Sequence, residues 1–451
     1  MATLSRPQFG TDGVRGTFGQ NLTTEFVYCL GQAIAKVLGT DRNFLVGRDT
    51  RMSGPVLQQA LQDGLLAAGA KVIDVGILTT PGIATIARRD SLPACVLTAS
   101  HNPADDNGVK VFGVGGVKIK ENLESEIENE LEILLSNNPQ YDEHELTTQP
   151  DTQASKEYVS YLLDSLDGAS LSGLKVVLDC ANGAAYGAAP SSFLLAGAQV
   201  VAINTECDGV HINENCGATH LAQLKKEVLS HKADIGFAFD GDADRLIVVD
   251  DRGNIRDGDA ILALFAIEMA SKNMLSKNTV VATSMSNGGL RKFLETNGMQ
   301  LVETQVGDKF VLEEMLNNNF SLGGEQSGHI IRTDFSNWGD GILNALQISK
   351  IYIDLLNLGP KVSSSQMFSL FVPLVQLHDK VKVTQKSLAE RSQIIQDAIA
   401  KEKSILGEGS KIIIRPSGTE EVVRITVEGL IEEQVKESVS RLAATVEKVC
   451  G

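Results

Sequence analysis

Short apolar runs alternate along this chain with stretches that carry the period of a helix, and no other feature limits its fold as much. In the first 110 residues, TTEFVYCLGQAIAKVLG places Phe26, Leu30, Ile34 and Val37 at helical spacing, and FLVGRD follows as a buried strand. Residues 55–69 read as a helix ending near Gly69, KVIDVGI as a strand, TPGIATIARR as a helix and ACVLTAS as a strand. Strands separated by helices in this way predict a parallel sheet covered on both faces. The polar stretch SNNPQYDEHELTTQPDTQAS (136–155) interrupts the alternation and marks a first domain boundary. The pattern restarts with KVVLDCANGAAYGAAPSSFLLAGAQVVAIN, which leads to ADIGFAFD and the hairpin-like LIVVDDRGN; a third round from Asp257 contains TVVATSM, QLVETQ and FSLGGE. From about residue 370 the character changes: SLFVPLVQLHDKVKV, a helix around 388–402, KIIIRPSG, VVRITVEG and a last helix from Glu432 to Val449. The fold class expected is α/β: three similar α/β/α domains with mixed, mostly parallel sheets and a smaller α+β C-terminal domain, around a central cleft. The divisions fall at 1–155, 156–256, 257–368 and 369–451.

A length of 451 residues suits three or four domains. Lys plus Arg at 40 against Asp plus Glu at 57 gives a net charge of −17, which disfavours holding a nucleic acid through the overall field. No apolar run is long enough to span a membrane, and the opening MATLSRPQFG lacks a secretory core, so a cytoplasmic protein is expected. The six cysteines form no CxxC and sit mostly in apolar segments, as reduced structural thiols do; neither a zinc site nor a disulfide is expected.

One polar loop directly follows an apolar strand in each of the four segments, where open α/β sheets place their ligands. The first, Thr98–Pro103, turns the chain at Ser100, an exposed hydroxyl with the donors His101, Asn102 and Lys110 suited to an anion carried on it. The second, DGDADR, offers Asp240, Asp242 and Asp244 at every second position; such crowding is costly unless a hard divalent cation neutralises it, and a phosphate could complete its ligands with Arg245 beside it. An EF-hand is excluded by Arg245 and Asp251 at positions that need Gly and Glu. The third, Gly323–His329, joins flexible backbone to Glu325 and Ser327 and suits a sugar's hydroxyls. The fourth supplies the parts of a phosphate nest in Arg415, Ser417, Gly418 and Thr419, with Arg424 beyond. The glycines of GVGGVK (113–118) do not complete GxGxxG and no GK[ST] occurs, so neither a dinucleotide nor a Walker-type nucleotide site is indicated.

With FGTDGVRG (9–16), these loops run in one order across essentially the whole chain, and in this the sequence resembles the α-D-phosphohexomutases. GEQSGH, with Gln326 where glucose and mannose phosphate relatives usually have Met, looks like the glucosamine branch, as do VGDKF (306–310) and the opening octapeptide. Glu420-Glu421 stands where that branch commonly has Glu-Pro. The resemblance implies that phosphorylated Ser100 is held by one Mg²⁺ per subunit on Asp240, Asp242 and Asp244, with Arg15, His101 and Arg245 nearby. It implies Lys110 as general base and acid, its pKa drawn from about 10.4 towards neutrality. Glu325, Ser327 and His329, with Asp308 and Lys309, would bind the sugar; Arg415, Ser417, Gly418, Thr419 and Arg424 would hold the phosphate that is not reacting. The activity implied is interconversion of glucosamine 6-phosphate and glucosamine 1-phosphate through glucosamine 1,6-bisphosphate, supplying UDP-GlcNAc and cell-wall synthesis. Glucose or mannose phosphate mutase activity and metal-dependent sugar phosphatase activity are the alternatives. Small sugar phosphates are the expected partners, with neither nucleic acid nor membrane, and room remains for a homodimer. Despite the overall charge, Arg15, Lys110, Arg245, Lys309, Arg415 and Arg424 bring cations to the motif loops.

Overall fold

Several helices begin where a side chain satisfies one of their first N–H groups. In the computed structural model, which describes residues 6–10, 12–137, 140–359, 362–407, 409–417 and 421–451, Thr23 caps the helix Thr24–Leu38 by accepting from Phe26 N–H. Phe26, Leu30 and Ile34 turn inward as their spacing predicts. Contacts divide the chain into two compact units: one reaches Ser284 and resumes over Val302–Phe368, the other joins Met285–Leu301 to Ser369–Gly451.

The first unit holds three α/β layers. In the first, Asn43–Arg48 lies parallel to Lys71–Ile77 and to Ala94–Leu97; Asp106–Gly113 then returns antiparallel beside Ala94–Leu97, and Gly13–Thr17 pairs antiparallel with it in turn. In the second, Lys175–Asp179 is parallel to Gln199–Ile203 and Ile235–Phe239, and Leu246–Asp250 returns antiparallel. In the third, Thr279–Thr283 is parallel to Leu322–Gly324, which Ile330–Arg332 follows antiparallel. The sheets are therefore mixed. Helix crossovers make the parallel part that the alternation predicts, and each motif loop is the turn into an antiparallel strand. Ala94–Leu97 and Ile235–Phe239 are buried throughout, so the loops that follow hang from strands fixed on both faces.

The second unit is a three-stranded antiparallel sheet with Val422–Gly429 between Val375–Lys382 and Lys411–Pro416. Its inner face buries Val423, Ile425 and Val427 together with Val435, Leu442 and Val446 of the last helix, Glu432–Cys450. The helix expected at 388–402 is two helices, Leu388–Arg391 and Gln393–Leu406. The segment Met285–Leu301, which sits in the middle of the third α/β round by sequence, packs with this unit: Gly288 N–H donates to Glu428 Oε1 at 2.9 Å.

The GVGGVK glycines form the tight turn between Asp106–Gly113 and Val117–Lys118, with Gly115 and Gly116 at positive φ. A helix, Glu121–Ser136, follows that the apolar-run reading passed over. Cys29, Cys95, Cys180, Cys216 and Cys450 are buried and Cys207 is exposed. Among the described residues no helix is long and apolar enough to cross a membrane.

Candidate active site

Ser100 follows a strand that ends in the core, and its φ of 52° puts the chain in the left-handed region. A non-glycine residue held there stores strain of about 1–3 kcal/mol, which surrounding contacts must offset. Those contacts are explicit. Arg51, fully buried, donates to the carbonyls of Ser100 (3.1 Å), Asn102 (2.9 Å), Asp106 (2.8 Å) and Pro103, so one guanidinium organises the whole loop. Asp49 balances it, accepting from Arg51 Nε at 3.0 Å and from Thr98 Oγ1 at 2.7 Å. Ser100 N–H donates to Thr98 Oγ1, and Asn213 Nδ2 adds a bond to Ser100 O at 2.8 Å. Ser100 itself is only 1% exposed. The sequence places this hydroxyl at the surface; it is covered because the acidic loop lies directly against it.

The contact between the two loops is backbone-close. A Cβ on Gly241 would stand 2.5 Å from Ser100 O, so only glycine permits the approach. Ser100 Oγ then donates to Asp240 Oδ2 at 2.6 Å. Asp240, Asp242 and Asp244 are all buried, with candidate ligand oxygens within 4.8 Å of one another. Ala243 between them has a φ of 60°, a second strained residue at the same place. Burial, then repulsion from Asp244 and Asp242, pushes the Asp240 carboxyl up to about 8. Oδ1 of Asp242 and Oδ1 of Asp244 are buried without a hydrogen-bond partner among the described residues. Three buried carboxylates with two oxygens unsatisfied form a donor set of the kind a hard divalent cation takes, and the triad can hold one.

Lys110 projects from the middle of the returning strand into the same cluster. Its Nζ stands 2.7 Å from Asp242 Oδ2, 2.7 Å from Asp244 Oδ2 and 2.8 Å from Asp12 Oδ2. The expected fall of its pKa is reversed: burial pulls it down, but Asp12, Asp242 and Asp244 together raise it well above the usual lysine value. The neighbours it meets are carboxylates rather than the cations or apolar surface that a neutral lysine requires. Asp12, which the sequence reading did not single out, is a hub: it also pairs with Arg15 at 2.8 Å and with Lys118 at 3.0 Å. Lys118 in turn reaches Asp308. A Cβ on Gly13 would lie 2.4 Å from Val109 O, so the glycine after Asp12 lets this strand lie against the one bearing Lys110. Thr80 Oγ1, at the start of the helix Thr80–Asp90, donates to Asp242 Oδ2 at 2.5 Å.

His101 Nδ1 lies 3.4 Å from Ser100 Oγ; burial, helped by Arg245 and Arg15, lowers the ring's pKa to about 3, so it serves as a neutral partner. Arg245 N–H donates to Asp240 Oδ1 at 3.1 Å. In the third loop, Glu325 Oε1 accepts from Gly307 N–H at 3.1 Å, joining it to the turn that precedes Asp308. His329 Nε2 accepts from Gly339 N–H and Nδ1 lies 3.8 Å from Asp244 Oδ1; burial pulls the ring's pKa down, but Asp308 and Asp244 raise it overall. Ser327 is exposed beside them. Lys309 is held by Glu121 and Glu124 at 3.0 and 3.2 Å, and with Lys110, Lys118 and Asp12 it lines one small cavity. In the second unit, Arg424 stands opposite Arg415 across the sheet and Ser417 is buried; Gly418 and Thr419 lie outside the described residues.

A strained, buried serine hydroxyl aimed at a carboxylate triad, on the first two of three mixed α/β layers, defines a phosphoryl-handling enzyme class. Models of the phosphoglucomutase/phosphomannomutase family match the chain four times: α/β/α domain I over residues 6–137, domain II over 156–253, domain III over 257–367 and the C-terminal domain over 380–445. The chain belongs to this family. It is 42% identical over 449 residues to a phosphoglucosamine mutase of Caldicellulosiruptor bescii, covering 97% of this chain and 98% of that one. To one of a Nocardioides species it is 43% identical over 450 residues, covering 98% of each. Among solved structures, a phosphoglucomutase/phosphomannomutase family protein from Burkholderia thailandensis has a TM-score of 0.77 at 24% identity over 97% of each chain. The N-acetylphosphoglucosamine mutase of Aspergillus fumigatus, in complex with GlcNAc-6P and magnesium, has a TM-score of 0.67 at 18% identity, covering 100% of this chain and 97% of that one.

Proposed function

We propose that this chain interconverts glucosamine 6-phosphate and glucosamine 1-phosphate, with Ser100 as the phosphoryl carrier and glucosamine 1,6-bisphosphate as the intermediate. The observation that carries the reading is Ser100 Oγ, 2.6 Å from Asp240 within the buried triad. The names of the relatives favour glucosamine phosphates over glucose or mannose phosphates. In the first half-reaction the phosphorus–oxygen bond to Ser100 breaks, a bond to the sugar's free hydroxyl forms, and that hydroxyl's proton passes to Lys110, whose ammonium must first give up a proton to water against the pull of Asp12, Asp242 and Asp244. The bisphosphate turns around, its other phosphoryl group moves to Ser100, and the proton returns to the sugar oxygen left behind. Mg²⁺ on Asp240, Asp242 and Asp244 would supply positive charge beside the phosphoryl oxygens. Arg15 and His101 orient the phosphoryl group, and Arg245 steadies Asp240. Glu325, Ser327 and His329 grip the sugar in both orientations, with Asp308 and Lys309 shaping that wall. Arg415, Ser417, Gly418, Thr419 and Arg424 hold the other phosphate.

The work divides over segments 1–155, 156–256, 257–368 and 369–451 as phosphoserine, metal, sugar and distal-phosphate parts, and the protein acts in the cytoplasm. The test is a mutase assay of the full chain on glucosamine, N-acetylglucosamine, glucose and mannose phosphates, with Ser100→Ala alongside. Turnover is expected to be fastest on glucosamine phosphates, lost in EDTA and restored by Mg²⁺, with Ser100→Ala below about a hundredth of the wild-type rate. Release of inorganic phosphate in place of the isomer would establish the phosphatase alternative instead.

A further inference from the structure

The C-terminal sheet has one apolar face and one polar face. Leu377, Val381, Ile412, Ile414, Ile425 and Val427 alternate inward to the helices. The opposite face is arranged in rows by the strand register: Gln376–Glu428–Lys411, then His378–Thr426–Ile413, then Lys380–Arg424–Arg415. The first row is covered by the packed segment 285–301. Gln376 Nε2 donates to Met285 O at 3.1 Å, Lys411 Nζ donates to Ser286 O at 2.6 Å, and Glu428 takes the N–H of Gly288.

The other two rows face a cavity of about 370 Å³ lined by Met285, His378, Lys380, Arg415, Arg424 and Thr426. That volume falls in the range of small-molecule sites. Among the described residues Asp379 is the one carboxylate on the lining, and strand alternation points it away from the Lys380 side. Lys380 is exposed and makes no ion pair among the described residues. Lys380 thus brings a cation with no ion pair among the described residues to a cavity that Arg415 and Arg424 also line.

Resting on the mutase reading above, we propose that Lys380 is the third cation of the distal-phosphate site, contributed by the strand Val375–Lys382 rather than by the segment that carries Arg415 and Ser417. A phosphate dianion over this row meets charge from all three strands at once. The test uses the full chain with Lys380→Gln and Lys380→Arg. It reads melting temperature with and without inorganic phosphate, steady-state kinetics on glucosamine 1-phosphate, and bisphosphate released per turnover. Without phosphate, Lys380→Gln should melt close to the wild-type temperature, because changing an exposed side chain that makes no ion pair among the described residues alters stability little. Its phosphate-induced rise should shrink, kcat/KM should fall about tenfold, the lower end for a charged contact at an exposed site, and more bisphosphate should escape. Lys380→Arg should keep wild-type values. A Lys380→Gln protein with wild-type phosphate response and kinetics, where Arg415→Ala is impaired, would overturn the role of Lys380 and leave the mutase reading standing. A wild-type chain that isomerises no hexose phosphate would overturn both.

Discussion

Arg51 shows how much of a reactive loop depends on a residue that touches no substrate. Its guanidinium is 0% exposed, paired with Asp49 and bonded to four carbonyls of the turn carrying Ser100. Removing one member of a buried pair leaves the other charge uncompensated, so Arg51→Met should cost about 3–5 kcal/mol in urea unfolding. Loss below about 1 kcal/mol would show that Asp49 finds water or another partner. Ser100, Asp240, Asp242 and Asp244 were legible because each lies in a contiguous polar loop after an apolar strand. Arg51, Asp12, Lys118 and Asn213 were not singled out, since each also has partners far along the chain that strand pairing or loop packing brings to it. Arg51 did carry the same signal as the four loops: it stands in RDTR, just past the strand Asn43–Arg48. Lys110 was found but its surroundings were misread, because Asp12 arrives from the turn before Gly13–Thr17, the strand that pairs beside Asp106–Gly113.

At the scale of elements, period told strands from helices but not the direction of the strands. Helix crossovers between Asn43–Arg48, Lys71–Ile77 and Ala94–Leu97 made the parallel part evident; the antiparallel return of Asp106–Gly113 was hidden, because TASHNP reads equally well as the entry to a helix. Only LIVVDDRGN announced its hairpin, Leu246–Asp250 with Ile255–Arg256, through a turn rich in Asp and Gly. In the C-terminal unit, the helices Gln393–Leu406 and Glu432–Cys450 are clamped by Glu402. Its carboxylate accepts from Arg441 Nε and Nη2, both at 2.8 Å, and from Ser438 Oγ at 2.7 Å. Bonding to Arg441 lowers the Glu402 pKa below the usual value. A depressed carboxyl stabilises the fold above its unfolded pKa, about 4.3, and that stability is lost as pH falls through the folded value. Glu402→Gln should therefore cost about 1–2 kcal/mol at pH 7, reduced because Arg441 is partly exposed, and progressively less towards pH 3. A penalty that stays constant across that range in thermal melts would assign the effect to packing rather than charge.

For the whole molecule, a net charge of −17 coexists with a chemistry of anions because charge is sorted by position. Carboxylates gather where a cation fits, and Lys380, Arg424 and Arg415 share one row of the C-terminal sheet. Matching all four family domains in order leaves the phosphoserine cycle as the claim on which the rest depends. Peptide-level mass spectrometry of the full chain after incubation with glucosamine 1,6-bisphosphate tests it most directly. The account predicts a single phosphoryl group on the peptide containing Ser100, and its transfer to sugar as bisphosphate, mole for mole, when glucosamine 1-phosphate is added. An active protein with unmodified Ser100, or with its exchangeable phosphate on another residue, would contradict it.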